Sequence, residues 1–133
     1  MMRMILALAG LTMLAHSAVA NPPLRDVIEV ERAMLIIGQA DGIRRNCPTI
    51  VPRKIEVVFF VRGLERQARA LGYSQDEINA YTKSDADKKR LRAKAASILA
   101  SKGVDTSDPQ SYCAVGMTEI QKSSQIGALL RAK

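Results

Sequence analysis

The sequence predicts an all-α fold, a small bundle of about five helices stapled by one disulfide bond. Three observations support this prediction. Apolar residues recur at helical spacing in every long segment of the chain. Residues typical of helix starts precede several of these segments, and glycine or proline follows them. The N-terminus has the pattern of an export signal, and the chain contains only two cysteines, Cys47 and Cys113.

The first 20 residues have the three-part pattern of a secretory signal peptide. Arg3 precedes an apolar run, and Ala18 and Ala20 then occupy the positions of a small-residue cleavage site. The run is shorter than the roughly 20 residues that a membrane span needs. We expect cleavage between Ala20 and Asn21, which leaves one helical domain over residues 21–133, periplasmic or secreted, without a transmembrane segment. The alternative is a segment that stays attached as an anchor or a buried helix.

Export decides between two interpretations of the cysteines. A reactive thiolate needs a base or a stabilising partner, usually histidine, and the single histidine, His16, lies in the predicted signal. Arg44 and Arg45 precede Cys47, where they suit the basic C-terminal end of a helix. We therefore predict a disulfide between Cys47 and Cys113, as is typical of exported proteins.

The first helix is predicted over residues 22–46, with prolines at its start and Pro48 after its end. Its apolar face is predicted to contain Leu24, Val27, Ile28, Met34, Leu35 and Gly38.

The second helix is predicted over residues 52–71. Its first part, "IEVVFFV", also fits a buried strand, but a longer window favours a helix that ends at Gly72. The apolar face of this helix is predicted to contain Val57, Phe60, Val61, Leu64, Ala68 and Leu71. Because its first half is apolar all round, we expect that half to be buried on two sides.

Capping residues predict three more helices. Ser74 and Glu77 form a capping box, and Ser84 begins a longer helix that ends at Gly103. Asp108 is a predicted N-cap, with Pro109 in the first turn. The apolar stripe of this fifth helix is predicted to contain Tyr112, Cys113, Gly116, Met117 and Ile120. A last turn or two is expected to dock on the core through Ile126, Leu129 and Leu130.

Several segments resemble those of a family of small exported bacterial proteins, catalogued as domain of unknown function 5333. The segments are "DGIRRNC", "RALGYS", "EINAY", "SDADKKRLRA", "GVDTSDPQSYCAVGMTEI" and "SSQIGALLRAK". The resemblance implies an exported, helical, disulfide-linked protein. It implies no activity, since none is established for the family, and no catalytic residue carries over.

The residue inventory favours a protein that is not an enzyme. Without histidine and with paired cysteines, the mature chain lacks a nucleophile–base pair and the usual transition-metal ligands. Asp85 and Asp87 resemble the start of an EF-hand, but Lys89 and Arg90 occupy its fifth and sixth positions. Other carboxylates, Glu119 among them, are expected at solvated or capping positions. We expect no catalytic residue, no metal and no cofactor.

The net charge of +7 points to an anionic partner. Arg62, Arg66 and Arg69 are spaced to form a stripe opposite the apolar face of the second helix. A second basic group contains Lys88, Lys89, Arg90, Arg92 and Lys94. The two groups together are predicted to form one anion-binding face; the alternative is that they are ordinary solvated surfaces.

Two functions are compatible with these features. The first is a non-catalytic exported protein that binds an anionic envelope component or an acidic protein. The second is a periplasmic chaperone-like or inhibitor-like helper that exposes an apolar face. Nucleic acid is not expected as a partner, since the few aromatic residues are predicted on core faces and not among the charges.

Overall fold

The computed structural model describes residues 19–133, so almost all of the predicted signal peptide lies outside the described residues. The helices are α1 (Ile28–Asn46), α2 (Lys54–Ala70), α3 (Gln75–Lys83), α4 (Asp85–Ser101), α5 (Pro109–Gln121) and α6 (Gln125–Ala128). A short 3-10 helix (Leu24–Asp26) precedes α1, and strands β1 (Ile50–Pro52) and β2 (Leu130–Ala132) form a small sheet. The predicted all-α fold with five substantial helices is confirmed.

Helix α1 is central, because α2 and α4 pack on nearly opposite sides of it. A Cβ atom added to Gly38 would lie 3.0 Å from Ala95 of α4, so small residues let these two helices approach closely. On the other side, Ala33 and Ile36 line a groove together with Leu64 of α2. At about 100° per residue, Gly38 lies about 140° from Ala33 and about 160° from Ile36 around α1.

Two apolar clusters lie along α1. The cluster at its N-terminal half joins the 3-10 helix, α3 and the facing ends of α2 and α4; its buried residues are Leu24, Val30, Ala68, Tyr73, Ile78, Tyr81 and Leu91. The cluster at its C-terminal half joins the end of α4 to α5, α6 and the strands, around the fully buried Ile43. The fold therefore has two cores that share one helix.

The C-terminal cluster contains the predicted disulfide. Cys47 and Cys113 are bonded, with their Cα atoms 5.2 Å apart, which ties the end of α1 to α5. Strands β1 and β2 pair antiparallel beside the bridge, with Val51 opposite Arg131. Ile126, Leu129 and Leu130 dock in this cluster, as expected.

Local capping signals were predicted well. Ser74 and Glu77 form both hydrogen bonds of the capping box at the start of α3. The Ser84 hydroxyl accepts from the backbone N–H of Asp87, and Asp108 caps α5 with Pro109 in its first turn. Each of these caps consists of hydrogen bonds between residues that are close in the sequence, so it depends little on tertiary packing.

The predicted faces of the first and fifth helices need correction. A break at Val27 separates the 3-10 helix from α1, which turns Ile28 outward, with 53% of its surface exposed. The buried residues of α1 are instead Val30, Glu31, Gln39, Ala40 and Ile43. In α5, Val115 is buried and Met117 is exposed, which rotates the predicted stripe by about a quarter of a turn.

The expectation that the first half of α2 is buried on two sides is wrong. Ile55, Val58 and Phe59 are 69%, 46% and 64% exposed. Helix α2 lies at the edge of the bundle and contacts α1 and α3 through one side, so nothing among the described residues covers the other side. Leu71, at the end of the helix, is exposed for the same reason.

Among residues 19–133, no helix is both long enough and apolar enough to cross a membrane.

Candidate anion-binding surface

Helix α2 presents one apolar side to the protein and the other side to solvent. Ala68 is its single fully buried residue, and Val57, Phe60 and Leu64 are partly buried against the two cores. At about 100° per residue, these inward residues lie on one side of the helix axis. The opposite side is therefore available for contact with another molecule.

Arg62, Arg66 and Arg69 lie together on the solvent side, and we call them the arginine stripe. Helical geometry places the three within an arc of about 60°, centred opposite Leu64. All three side chains are exposed. The predicted alignment of the arginines on one face is thus what the structure shows, although their role in binding remains a prediction.

The arginine stripe is only partly neutralised by neighbouring residues. Arg69 donates a hydrogen bond of 2.8 Å to the Gln75 side chain, and it lies 3.9 Å from the Glu65 carboxylate. Within the part of the chain that the structure describes, no carboxylate lies within 4.0 Å of Arg62 or Arg66. Two guanidinium groups therefore keep all their donors for water or for an anion.

An exposed apolar patch continues the arginine stripe toward the N-terminus of α2. The patch consists of Ile55, Val58 and Phe59, and helical geometry places it within about 60° of the centre of the stripe. The outer face of α2 is thus apolar in its first two turns and basic in its last two. This patch was not predicted from the sequence, because periodicity shows which residues are apolar but not which side of a helix is covered by another element.

The second basic group lies on the other side of the molecule, so the two groups do not form the single face that was predicted. Helices α2 and α4 pack on opposite sides of α1, at Ala33 and Ile36 and at Gly38 respectively, so their solvent sides point apart. The group is also divided within α4, because residues two positions apart differ by about 200° around a helix. Arg90 and Lys94 lie on the flank toward α1, whereas Lys88 and Arg92 lie on the other flank and Lys89 points outward.

Arg90 and Lys94 form salt bridges with a buried carboxylate, that of Glu31 in α1. Arg90 donates two hydrogen bonds to Glu31, of 2.7 and 3.0 Å, and Lys94 donates one of 2.8 Å. Glu31 is only 8% exposed. The hydrogen bonds from Arg90 lower the pKa of Glu31 against the opposing effect of burial, and Lys94 adds to the lowering. Glu31 raises the pKa of Arg90 in turn. These two cations stabilise the packing of α4 on α1.

Asp87 extends this ionic cluster. Its buried carboxylate lies 3.3 Å from Arg25 of the 3-10 helix and 3.5 Å from Nε of Arg90. The Tyr81 hydroxyl of α3 is buried nearby, and burial, with the negative charge of Glu31, raises the pKa of Tyr81. The aspartate that resembled an EF-hand ligand is thus part of a salt-bridge cluster that joins three helical segments, the 3-10 helix, α1 and α4.

A second buried carboxylate, Glu119, corrects the expectation of a solvated position. Glu119 is 7% exposed and lies 3.4 Å from Nζ of Lys102. Burial would raise the pKa of Glu119, but hydrogen bonding from Ser124 and the charge of Lys102 outweigh it, and the pKa is lowered. No local sequence pattern indicates that Glu31 or Glu119 is buried, since their cationic partners are more than 15 positions away.

Comparison with known proteins identifies a family but no characterised relative. No curated protein and no solved structure matches the chain. The model of a family of unknown function, DUF5333, matches residues 22–131, which include the arginine stripe, both cysteines and the ionic cluster. Since this match covers most of the sequence, the chain belongs to the family of unknown function DUF5333.

Proposed function

We propose that the protein is a non-catalytic exported protein that binds an anionic component of the cell envelope through the arginine stripe of α2. The supporting observation is the placement of Arg62, Arg66 and Arg69 on one exposed helix side, with two of the three guanidinium groups free of carboxylates among the described residues. The planar fork of arginine matches the oxygens of phosphate and carboxylate groups.

Binding to immobilised polyphosphate at low and physiological ionic strength tests this proposal. The test compares the wild type with the variant Arg62→Gln, Arg66→Gln, Arg69→Gln. A matched control removes three exposed charges from α4 in the variant Lys88→Gln, Lys89→Gln, Arg92→Gln. We expect binding that weakens with salt, is lost in the α2 variant and is largely kept in the α4 variant. Equal binding by both variants would show that only net charge matters and would overturn the proposal.

The alternative, a chaperone-like or inhibitor-like helper, is favoured by one observation, the exposed Ile55, Val58 and Phe59. Apolar capture of an unfolded chain depends little on salt, whereas binding through arginines weakens as salt is added. Suppression of the aggregation of a reduced test protein, unchanged by salt and by loss of the three arginines, would favour this alternative.

A further inference from the structure

We infer that the outer face of α2 docks on the surface of an anionic lipid bilayer. The apolar patch enters the boundary between headgroups and acyl chains, and the arginine stripe binds the lipid phosphates. This inference rests on the proposed function and names the ligand of the same surface.

The first argument is the division of one helix side into an apolar and a basic part. From Ile55 to Arg69 the outer face is about 21 Å long, at 1.5 Å per residue. Surfaces that dock at a membrane interface combine aromatic and aliphatic side chains, which enter below the headgroups, with basic side chains at headgroup level. On α2 the two kinds follow one another along the helix axis. Phe59, 64% exposed, is the aromatic residue that such a helix would insert.

The second argument is the position of α2 in the fold. A bilayer is a broad, nearly flat partner, so a docking helix must protrude from the rest of the protein. Helix α2 lies at the edge of the bundle, and Ala68 is its single fully buried residue. The exposed Lys54 precedes the apolar patch and Arg62 follows it, so cations lie at both of its ends. Long basic side chains in these positions reach the headgroups while their stems remain among apolar groups.

The third argument is that other binding partners match only one part of the surface, either the apolar patch or the arginine stripe. A soluble acidic polymer would pair with the arginine stripe but leave Ile55, Val58 and Phe59 in water. A second copy of the chain that paired through α2 would cover the apolar patch, but it would add a second arginine stripe instead of an anionic surface. An anionic bilayer supplies an apolar interior and a layer of phosphates together.

A tryptophan reporter tests insertion directly, since the chain contains no tryptophan. In Phe59→Trp, we expect a blue shift of the emission on addition of phosphatidylglycerol vesicles, and quenching by lipids brominated on their acyl chains. Neither effect should occur with vesicles of phosphatidylcholine alone. Met117→Trp, on the exposed side of α5, is the matched control and should show neither effect with either lipid.

Sedimentation with phosphatidylglycerol vesicles separates the contributions of the two halves. The variant Ile55→Ser, Phe59→Ser should bind vesicles at least tenfold more weakly, because two apolar side chains lose their burial. Its binding to polyphosphate should not change. Loss of the three arginines should weaken vesicle binding by roughly a hundredfold, since each basic residue near an anionic surface contributes about fivefold. The replaced side chains are exposed, and an unchanged circular dichroism spectrum confirms that the variants are folded.

The outcomes distinguish failure of this inference from failure of the proposed function. Arginine-dependent binding to polyphosphate, without a blue shift and with normal vesicle binding by Ile55→Ser, Phe59→Ser, would overturn the bilayer inference and leave the proposed function intact. Dimerisation through the apolar patch without vesicle binding would also overturn it. Binding to neither anion would overturn both.

Discussion

Glu31 shows how a single buried carboxylate can organise a helix interface. Its charge is matched by Arg90 and Lys94 across the α1–α4 contact. We expect Glu31→Gln to lower the free energy of unfolding by about 2 kcal/mol at pH 7, as for hydrogen bonds to a charged group. Urea denaturation measures this change. Glu29→Gln, in the exposed first turn of α1, is the matched control and should change stability little.

The pH dependence of the same variant gives a second measurement. The pKa of Glu31 is lowered below its usual value of 4.5 in the folded protein. Its contribution to stability is therefore complete above that value and is lost as the pH falls through the folded pKa. The stability gap between the wild type and Glu31→Gln should close in acid. A gap of the same size at pH 7 and in acid would contradict this account.

Gly116 lies at a close contact in the C-terminal cluster. A Cβ atom there would lie 2.6 Å from Cδ1 of Ile50 and 2.7 Å from Cγ2 of Ile43, and both of these side chains are buried. We expect Gly116→Ala to destabilise the protein by about 1–3 kcal/mol through overpacking.

Gly63, in α2, provides the comparison for this substitution. The nearest atom to its added Cβ is Nη2 of Arg66, at 3.7 Å, and that side chain is flexible and exposed. Gly63→Ala should therefore be neutral or stabilising by about 0.5–1 kcal/mol, the helix-propensity difference between the two residues. Thermal unfolding of both variants tests this expectation. Equal losses of stability in Gly116→Ala and Gly63→Ala would show that the close contacts around Gly116 do not exclude a methyl group.

At the scale of elements, α2 is the long helix that is least buried against the rest of the protein. It buries one residue fully, whereas α1 buries five. We expect the amides of α2 to exchange with deuterium by local opening, well before those of α1, because few apolar contacts oppose its detachment. Anionic vesicles should slow the exchange of α2 selectively. Equal protection of α1 and α2 in the free protein would argue that α2 belongs to the global folding unit.

The elements also show what the sequence can and cannot predict. Helix starts at Ser74, Ser84 and Asp108 were predicted because a cap is decided by neighbouring residues. Strands β1 and β2 were not, because each is three residues long and exists only through a partner far along the chain. The arginine stripe was predicted from spacing, but the apolar patch beside it depends on which side of α2 remains uncovered.

At the scale of the whole molecule, the Cys47–Cys113 bridge spans a long segment of the chain, at a sequence separation of 66. Chain-entropy reasoning assigns such a loop about 4 kcal/mol of stabilisation, acting mainly on the unfolded state. We expect Cys47→Ser, Cys113→Ser to lose stability of up to that size, measured by urea denaturation. The wild type in reducing agent should lose a similar amount. No loss in either case would show that packing alone holds the two ends together.

The pairing of β1 with β2 also determines when folding can finish. Strand β1 begins three residues after Cys47, yet its partner comes after every helix of the described chain. The cluster around Ile43 likewise needs Ile126, Leu129 and Leu130. Contacts between residues so far apart in the sequence form late, because a long loop must close before they are made. A polypeptide threaded amino end first through an export channel would therefore keep this core open during passage. If the chain is exported as proposed, this architecture would keep it unfolded until its last residues have crossed the membrane.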